Sequence, residues 1–223
     1  MPYQQINISS CHSINCQGAA DIINEVTEAR KVVDRICKIC KQLNVECYKY
    51  HDTSSSSSQN LANIINWHNG FKDGIDVSIH FNAYKRTSNP MGTEVYYYSQ
   101  QQLASHMSLA LANNTGLKNR GAKSGTGLYF LRNTNKPSLL IEVCFVDSDA
   151  DVNIYRNKFE TICRTIVYVL TGKMLTTTTA TGNIYRVYAE KKQIGAYGKV
   201  DNIVNVTKEQ LNKGTKEVII RKV

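Results

Sequence analysis

Apolar residues in this chain fall at two spacings, and the switches between them mark out its elements. Residues Tyr3 to Ile8 alternate polar and apolar side chains and predict a first strand. Over residues 25–43 the apolar positions Val26, Ala29, Val33, Ile36, Cys40 and Leu43 recur at intervals of three and four, the stripe of an amphipathic helix. Cys47–Tyr50 reads as a short strand, and the serine-rich stretch 51–59 as a surface loop. Helical spacing returns over 60–72 through Leu61, Ile64, Ile65, Trp67, His68 and Phe71. Strands follow at Ile75–His80 and Thr93–Tyr98, and a helix at Gln101–Asn113. Two further strands are expected at Leu128–Leu131 and Ser138–Phe145, then a last long helix at Ile154–Leu170. Strands alternating with helices predict an α/β fold: a mainly parallel twisted sheet with helices on both faces.

The pattern breaks at a threonine-rich stretch of low complexity. It divides the chain into a domain at 1–172, a linker at 173–182 and a module at 183–223. In the module, Tyr185–Ala189, Gln193–Tyr197 and Glu217–Lys222 read as strands and Asn202–Leu211 as a short helix. That makes a small α+β unit near the lower limit for independent folding.

Composition narrows the class. With 223 residues, 42% of them hydrophobic and 20% charged, the chain can bury a core and is not a disordered polymer. The net charge of +9 calls for an acidic partner. It is unevenly shared, since residues 183–223 hold 9 basic and 4 acidic groups. No nucleic-acid motif is present, and aromatics are not interleaved with the basic residues as a stacking platform requires, so nucleic acid is not the expected partner. No stretch approaches the ~18–20 apolar residues of a bilayer span, so no membrane is expected either. The opening MPYQQINISSCHS has neither a basic n-region nor an apolar h-region, which predicts a chain made in the cytoplasm without a signal peptide. Seven cysteines, an odd number, then predict free thiols rather than a disulfide framework. Cys37 and Cys40 have CxxC spacing but lie on the seam of a helix, as core packing would place them.

Four residues stand out for chemistry. His12 follows the first strand, Glu25 opens the first long helix, His80 ends the strand Ile75–His80, and Glu142 interrupts the apolar run Leu139–Phe145. Ligands in open α/β sheets collect at the carboxyl ends of parallel strands. Two histidines and a glutamate suit a catalytic zinc ion with one open position, and a second glutamate could serve as base. A carboxylate within a buried strand is costly unless paired or functional. Glu28, on a similar helix face to Glu25, is the alternative ligand at that end, and Cys11 is a neighbour of the site. In an extended segment Cys11 would point away from His12. His51, His68 and His106 lack partners at ligand spacing and read as surface or packing residues, as Trp67 reads as core.

A series of motifs runs through the first part of the chain: Cys11-His12, Asn24-Glu25, Ser78-Ile79-His80-Phe81-Asn82-Ala83 and Gly92-Thr93-Glu94-Val95-Tyr96-Tyr97. It continues with Arg120-Gly121-Ala122-Lys123, Leu128-Tyr129-Phe130-Leu131-Arg132 and Pro137 to Phe145. By these motifs residues 1–172 resemble a zinc-dependent N-acetylmuramoyl-L-alanine amidase of the amidase-3 type, as found in phage endolysins and bacterial autolysins. The family carries glycines around the first histidine, where this chain has Cys11 and Ser13. The resemblance implies that His12, Glu25 and His80 ligate Zn2+ and that Glu142 is the catalytic acid/base. It implies hydrolysis of the amide between N-acetylmuramic acid and L-alanine in peptidoglycan, lysing Gram-positive cell walls. A related zinc peptidase cutting stem peptides or cross-links is the alternative. The tail, with Tyr185-Arg186-Val187 and Gln193-Ile194-Gly195-Ala196-Tyr197, resembles a module of clostridial amidases, implying binding to anionic wall polymers. A translation start at Met174 would release this module alone and allow oligomers through it. A phage enzyme of this kind would depend on a holin to reach the wall.

Overall fold

The strands of the first unit, Met1–Leu175, pair into one six-stranded sheet in the order β2-β1-β3-β6-β4-β5. They are β1 (Gln5–Ser10), β2 (Glu46–Tyr50), β3 (Ile75–Asn82), β4 (Thr93–Tyr97), β5 (Asn119–Ser124) and β6 (Ser138–Phe145). Every pairing is parallel except that of β4 with β6, which is antiparallel. The computed structural model describes residues 2–175, 185–197 and 200–222. No helix among the described residues is long and apolar enough to cross a membrane.

Strand alternation sorts the side chains onto two faces. Ile6, Ile8, Ile75, Val77, Ile79, Leu139 and Ile141 share one buried cluster with helices α1 (Glu25–Gln42), α3 (Gln101–Thr115) and α5 (Asp149–Thr171). Leu140 belongs to a second, smaller cluster with Ile64 and Ile65 of α2 (Ser57–Asn69) and Phe130 and Leu131 of α4 (Tyr129–Asn133). The helices therefore flank the sheet on both sides, as alternating elements predict. The α2 face is the polar one: Asn7, Ser9, Asp76, Ser78, His80 and Glu142 take the positions that alternate with the first cluster.

The polarity of that face is partly structural. His68 of α2, fully buried, places Nδ1 3.0 Å from Asp76 Oδ1 and Nε2 3.0 Å from Ser9 Oγ. Lys136 Nζ lies 3.1 Å from Asp76 Oδ2, with the side chains 8% and 0% exposed. This cluster ties β1, β3, α2 and the segment before β6 together behind the functional edge. Asp76→Ala would strand a buried lysine, and chemical denaturation of the full chain should show a loss of about 3–5 kcal/mol.

Several elements differ from the sequence reading. Leu128–Leu131, expected as a strand, leads into helix α4, with Phe130 and Leu131 buried beneath α2. A four-residue apolar run fits either state. Strand β5 has no apolar period, and pairing with β4 alone makes it extended. Helix α5 begins at Asp149 rather than Ile154, because Ser148 caps it by accepting from the Asp151 N–H and acidic residues fill its first turn. Cys37 and Cys47 form a disulfide, against the expectation of free thiols; α1 packs on β2 with the two Cα atoms 5.4 Å apart. Cys40, the other half of the CxxC pair, is a free thiol in the core, as are Cys144 and Cys163.

The second unit, Thr176–Val223, contains a three-stranded antiparallel sheet, order β8-β7-β9. Its strands are β7 (Tyr185–Ala189), β8 (Lys192–Tyr197) and β9 (Val218–Lys222), with helix α6 (Val200–Asn212) packed on them. Among its described residues, Val187 and Ile203 are the buried apolar ones. Residues 176–182 of the expected linker lie outside the described residues.

Candidate metal centre and active site

Strands β1, β3 and β6 are parallel neighbours, so their carboxyl ends open on one edge of the sheet. His12 stands just beyond β1, and His80 near the end of β3 pairs in register with Glu142 on β6. Glu25 is brought to the same edge as the first residue of α1. The Asn24 side chain caps that helix by accepting from the Thr27 N–H at 2.9 Å.

One donor atom from each of Cys11, His12, Glu25 and His80 lies within 4.8 Å of all the others. Glu25 Oε1 is 3.2 Å from His80 Nδ1, and Oε2 is 3.5 Å from His12 Nε2. Glu25 is buried, and the backbone N–H groups of Ala19 and Phe81 donate to it at 2.8 and 3.1 Å. Burial alone would raise its pKa. The hydrogen bond and charge of His80, then His12 and the Ala19 N–H, outweigh burial and bring it to about 2. It is therefore a fixed negative charge between two imidazoles. Burial lowers the His12 pKa, whereas at His80 the Glu25 hydrogen bond and the Glu142 and Glu25 charges overcome burial and raise it. His80 Nε2 lies 3.0 Å from Ser78 Oγ, which leaves Nδ1 facing Glu25.

Glu142 behaves differently. Its Oε2 is buried and has no hydrogen-bond partner. Burial, then the charges of Glu25 and Glu94, push its pKa up to about 7 against the pull of His80. A carboxyl group poised near neutrality beside two imidazoles and a carboxylate has the properties of a proton carrier. Two imidazoles and one carboxylate, with a second carboxylate free beside them, fit a divalent metal ion with an open position.

Cys11 does not point away. His12 has φ of 39°, in the left-handed region, so strand alternation ends there and both side chains reach the cluster. Glu28, the alternative ligand, is outside it; its carboxylate accepts from Lys31 Nζ and from the Tyr155 hydroxyl, each at 2.8 Å.

The structure adds two features that the sequence reading did not assign. Glu94 on β4 sits directly across from Glu142 and is 2% exposed. It accepts from Arg120 Nε at 2.6 Å, Asn82 Nδ2 at 2.9 Å and the Tyr96 hydroxyl at 3.0 Å. These partners hold a second carboxylate in place next to the first. The other is Gly18. A Cβ built there would clash with Glu25 Oε2 and lie 2.7 Å from His12 Nε2. Gly18→Ala should therefore displace two candidate ligands at once, and elemental analysis should find its metal content well below wild type. Outward from the cluster runs an apolar cleft lined by Leu61, Ile64, Ile65, Leu128, Tyr129 and Leu140.

Comparison with known proteins bears on this arrangement. The profile of the amidase-3 family, described as N-acetylmuramoyl-L-alanine amidase, matches residues 6–167. An uncharacterized 38.4 kDa protein of Clostridium perfringens is 31% identical over 159 residues, covering 69% of this chain and 46% of that relative. This chain thus spans about half the length of that relative. The amidase LytC of Bacillus subtilis is 33% identical over 93 residues, 37% of this chain and 18% of that protein. Among solved structures, the catalytic domain of an endolysin targeting Clostridia Difficile superposes with a TM-score of 0.69 at 24% identity. The match covers 77% of this chain and 98% of that domain, and shows a shared fold. The chain belongs to the amidase-3 family of N-acetylmuramoyl-L-alanine amidases.

Proposed function

We propose that this chain is a metal-dependent peptidoglycan hydrolase that cuts the amide between N-acetylmuramic acid and L-alanine. The observation that carries the proposal is the convergence of His12, Glu25 and His80 beside the unpartnered carboxylate of Glu142, in a chain of this family. His12, Glu25 and His80 would hold a zinc ion. Zinc at such a site supplies a Lewis acid that polarises an amide carbonyl and lowers the pKa of water towards ~7.

The chain's own residues do the rest. Glu25 keeps its negative charge through Ala19, Phe81 and the two histidines, so the donor set is ready before substrate arrives. Ser78 holds His80 with Nδ1 inward. Glu142 takes a proton from the attacking water on its free oxygen and returns it to the departing nitrogen. The return step matters because an amine leaves far more readily than an amide anion. Glu94 is held in place by Arg120, Asn82 and Tyr96, and its proximity helps raise the Glu142 pKa. The cleft along α2 and α4 offers an apolar wall for substrate.

The second unit would act as a wall-binding module, its excess of positive charge drawn to anionic polymers of a Gram-positive wall. The enzyme would reach that wall after release from the cell that makes it. Labelling of new amino termini in digested peptidoglycan tests the assignment. New N-terminal alanine supports an amidase; other new termini would place the chain with zinc peptidases that cut stem peptides or cross-links.

A further inference from the structure

We propose that Cys11 is a fourth protein donor to the metal, completing a Cys-His-Glu-His set. The proposal deepens the metal-site reading above and rests on it. Cys11 is 1% exposed, and its sulfur lies within 4.8 Å of the donor atoms of His12, Glu25 and His80. The backbone fixes it there. The Cys11 N–H donates to the Ile79 carbonyl at 2.9 Å, fastening the residue to β3 one position before His80. The left-handed turn at His12 then swings the imidazole round to the same side as the sulfur.

Position alone separates this thiol from the others. Cys40, Cys144 and Cys163 are equally buried and share the main core with Cys11, but none of them belongs to a group of ligand-type side chains among the described residues. Cys11 instead faces a carboxylate and two imidazoles, and its group is the one cluster of three or more ligand-type side chains among the described residues. Sulfur is a preferred zinc donor, and mixed sulfur and nitrogen sets are common. The ligand is the thiolate, with the thiol proton leaving to solvent as the metal loads. Four protein donors are the closed set of structural zinc sites. A Cys11 thiolate in the set would therefore hold the metal more firmly at the expense of an open position.

The test is the absorption spectrum of the full chain loaded with Co2+. Wild type should show visible ligand-field bands together with a near-ultraviolet sulfur-to-cobalt charge-transfer band. That band should survive in Cys16→Ser, which removes the half-buried free thiol nearest in sequence. It should be lost in Cys11→Ser, whose visible bands persist through the remaining three donors. Visible bands without the charge-transfer band in wild type would overturn the proposal and leave the metal with His12, Glu25 and His80. So would persistence of the band in Cys11→Ser. Absence of all cobalt bands in wild type would overturn both this proposal and the metal site itself. If Cys11→Ser fails to fold, the wild-type and Cys16→Ser spectra still decide the matter.

Discussion

Glu142→Gln is expected to lower peptidoglycan hydrolysis by about 10²–10⁴-fold while leaving the metal content at the wild-type level. The size follows from the role. Glutamine keeps the volume and position of the side chain on β6 but can neither take a proton from water nor hand one to the leaving nitrogen. The unpartnered Oε2 makes the substitution mild for folding, since no existing hydrogen bond to that atom is lost. The pH profile gives a second reading. A general base works ionised, so activity should rise with pH through the Glu142 pKa. Burial and the neighbouring carboxylates push that pKa up to about 7, and a cation beside it would lower it. The acid limb of kcat/KM should therefore lie below about 7 and be absent from the residual activity of Glu142→Gln. Near-wild-type turnover in the variant would remove Glu142 from the chemistry.

His80→Ala should lose the metal altogether, from about one ion per chain to near zero by elemental analysis after gel filtration. The substitution removes a candidate ligand and also the group whose Nδ1 sits 3.2 Å from Glu25 Oε1. Glu25 would then be a buried carboxylate with one fewer cationic neighbour, and its position as a donor would loosen. Activity should fall with the metal and should not return on adding zinc. A variant that binds metal as tightly as wild type would show that His80 is not a ligand. Comparison with Glu142→Gln separates the two roles: one variant is inactive and loaded, the other inactive and empty.

The four residues singled out in the sequence converge in space because their signals are topological. His80 and Glu142 mark the ends of apolar strands that pair in parallel, and such ends meet at one edge. Glu25 is legible from the asparagine before it and the apolar stripe after it. Cys11 is not, because its direction depends on a single positive φ at His12 that no periodicity reveals. Gly18 carries no local signal either; its role appears only when the loop brings its missing side chain against Glu25. Glu94 and Arg120 are visible as isolated charges, but their pairing needs β5 beside β4, and the polar run of β5 carries no strand period. The Cys37–Cys47 bridge was hidden for a related reason. An odd count of cysteines says nothing about which two lie 5.4 Å apart once α1 packs on β2.

Mass spectrometry of Gram-positive wall fragments after digestion by the full chain, with and without chelator, bears most directly on metal-dependent amide cleavage. The expected products are intact glycan strands carrying free lactyl carboxyl groups, and stem peptides that begin with alanine. Chelator should abolish both, and zinc should restore them. Cuts within the stem peptides or cross-links, or digestion that chelator leaves unchanged, would contradict it.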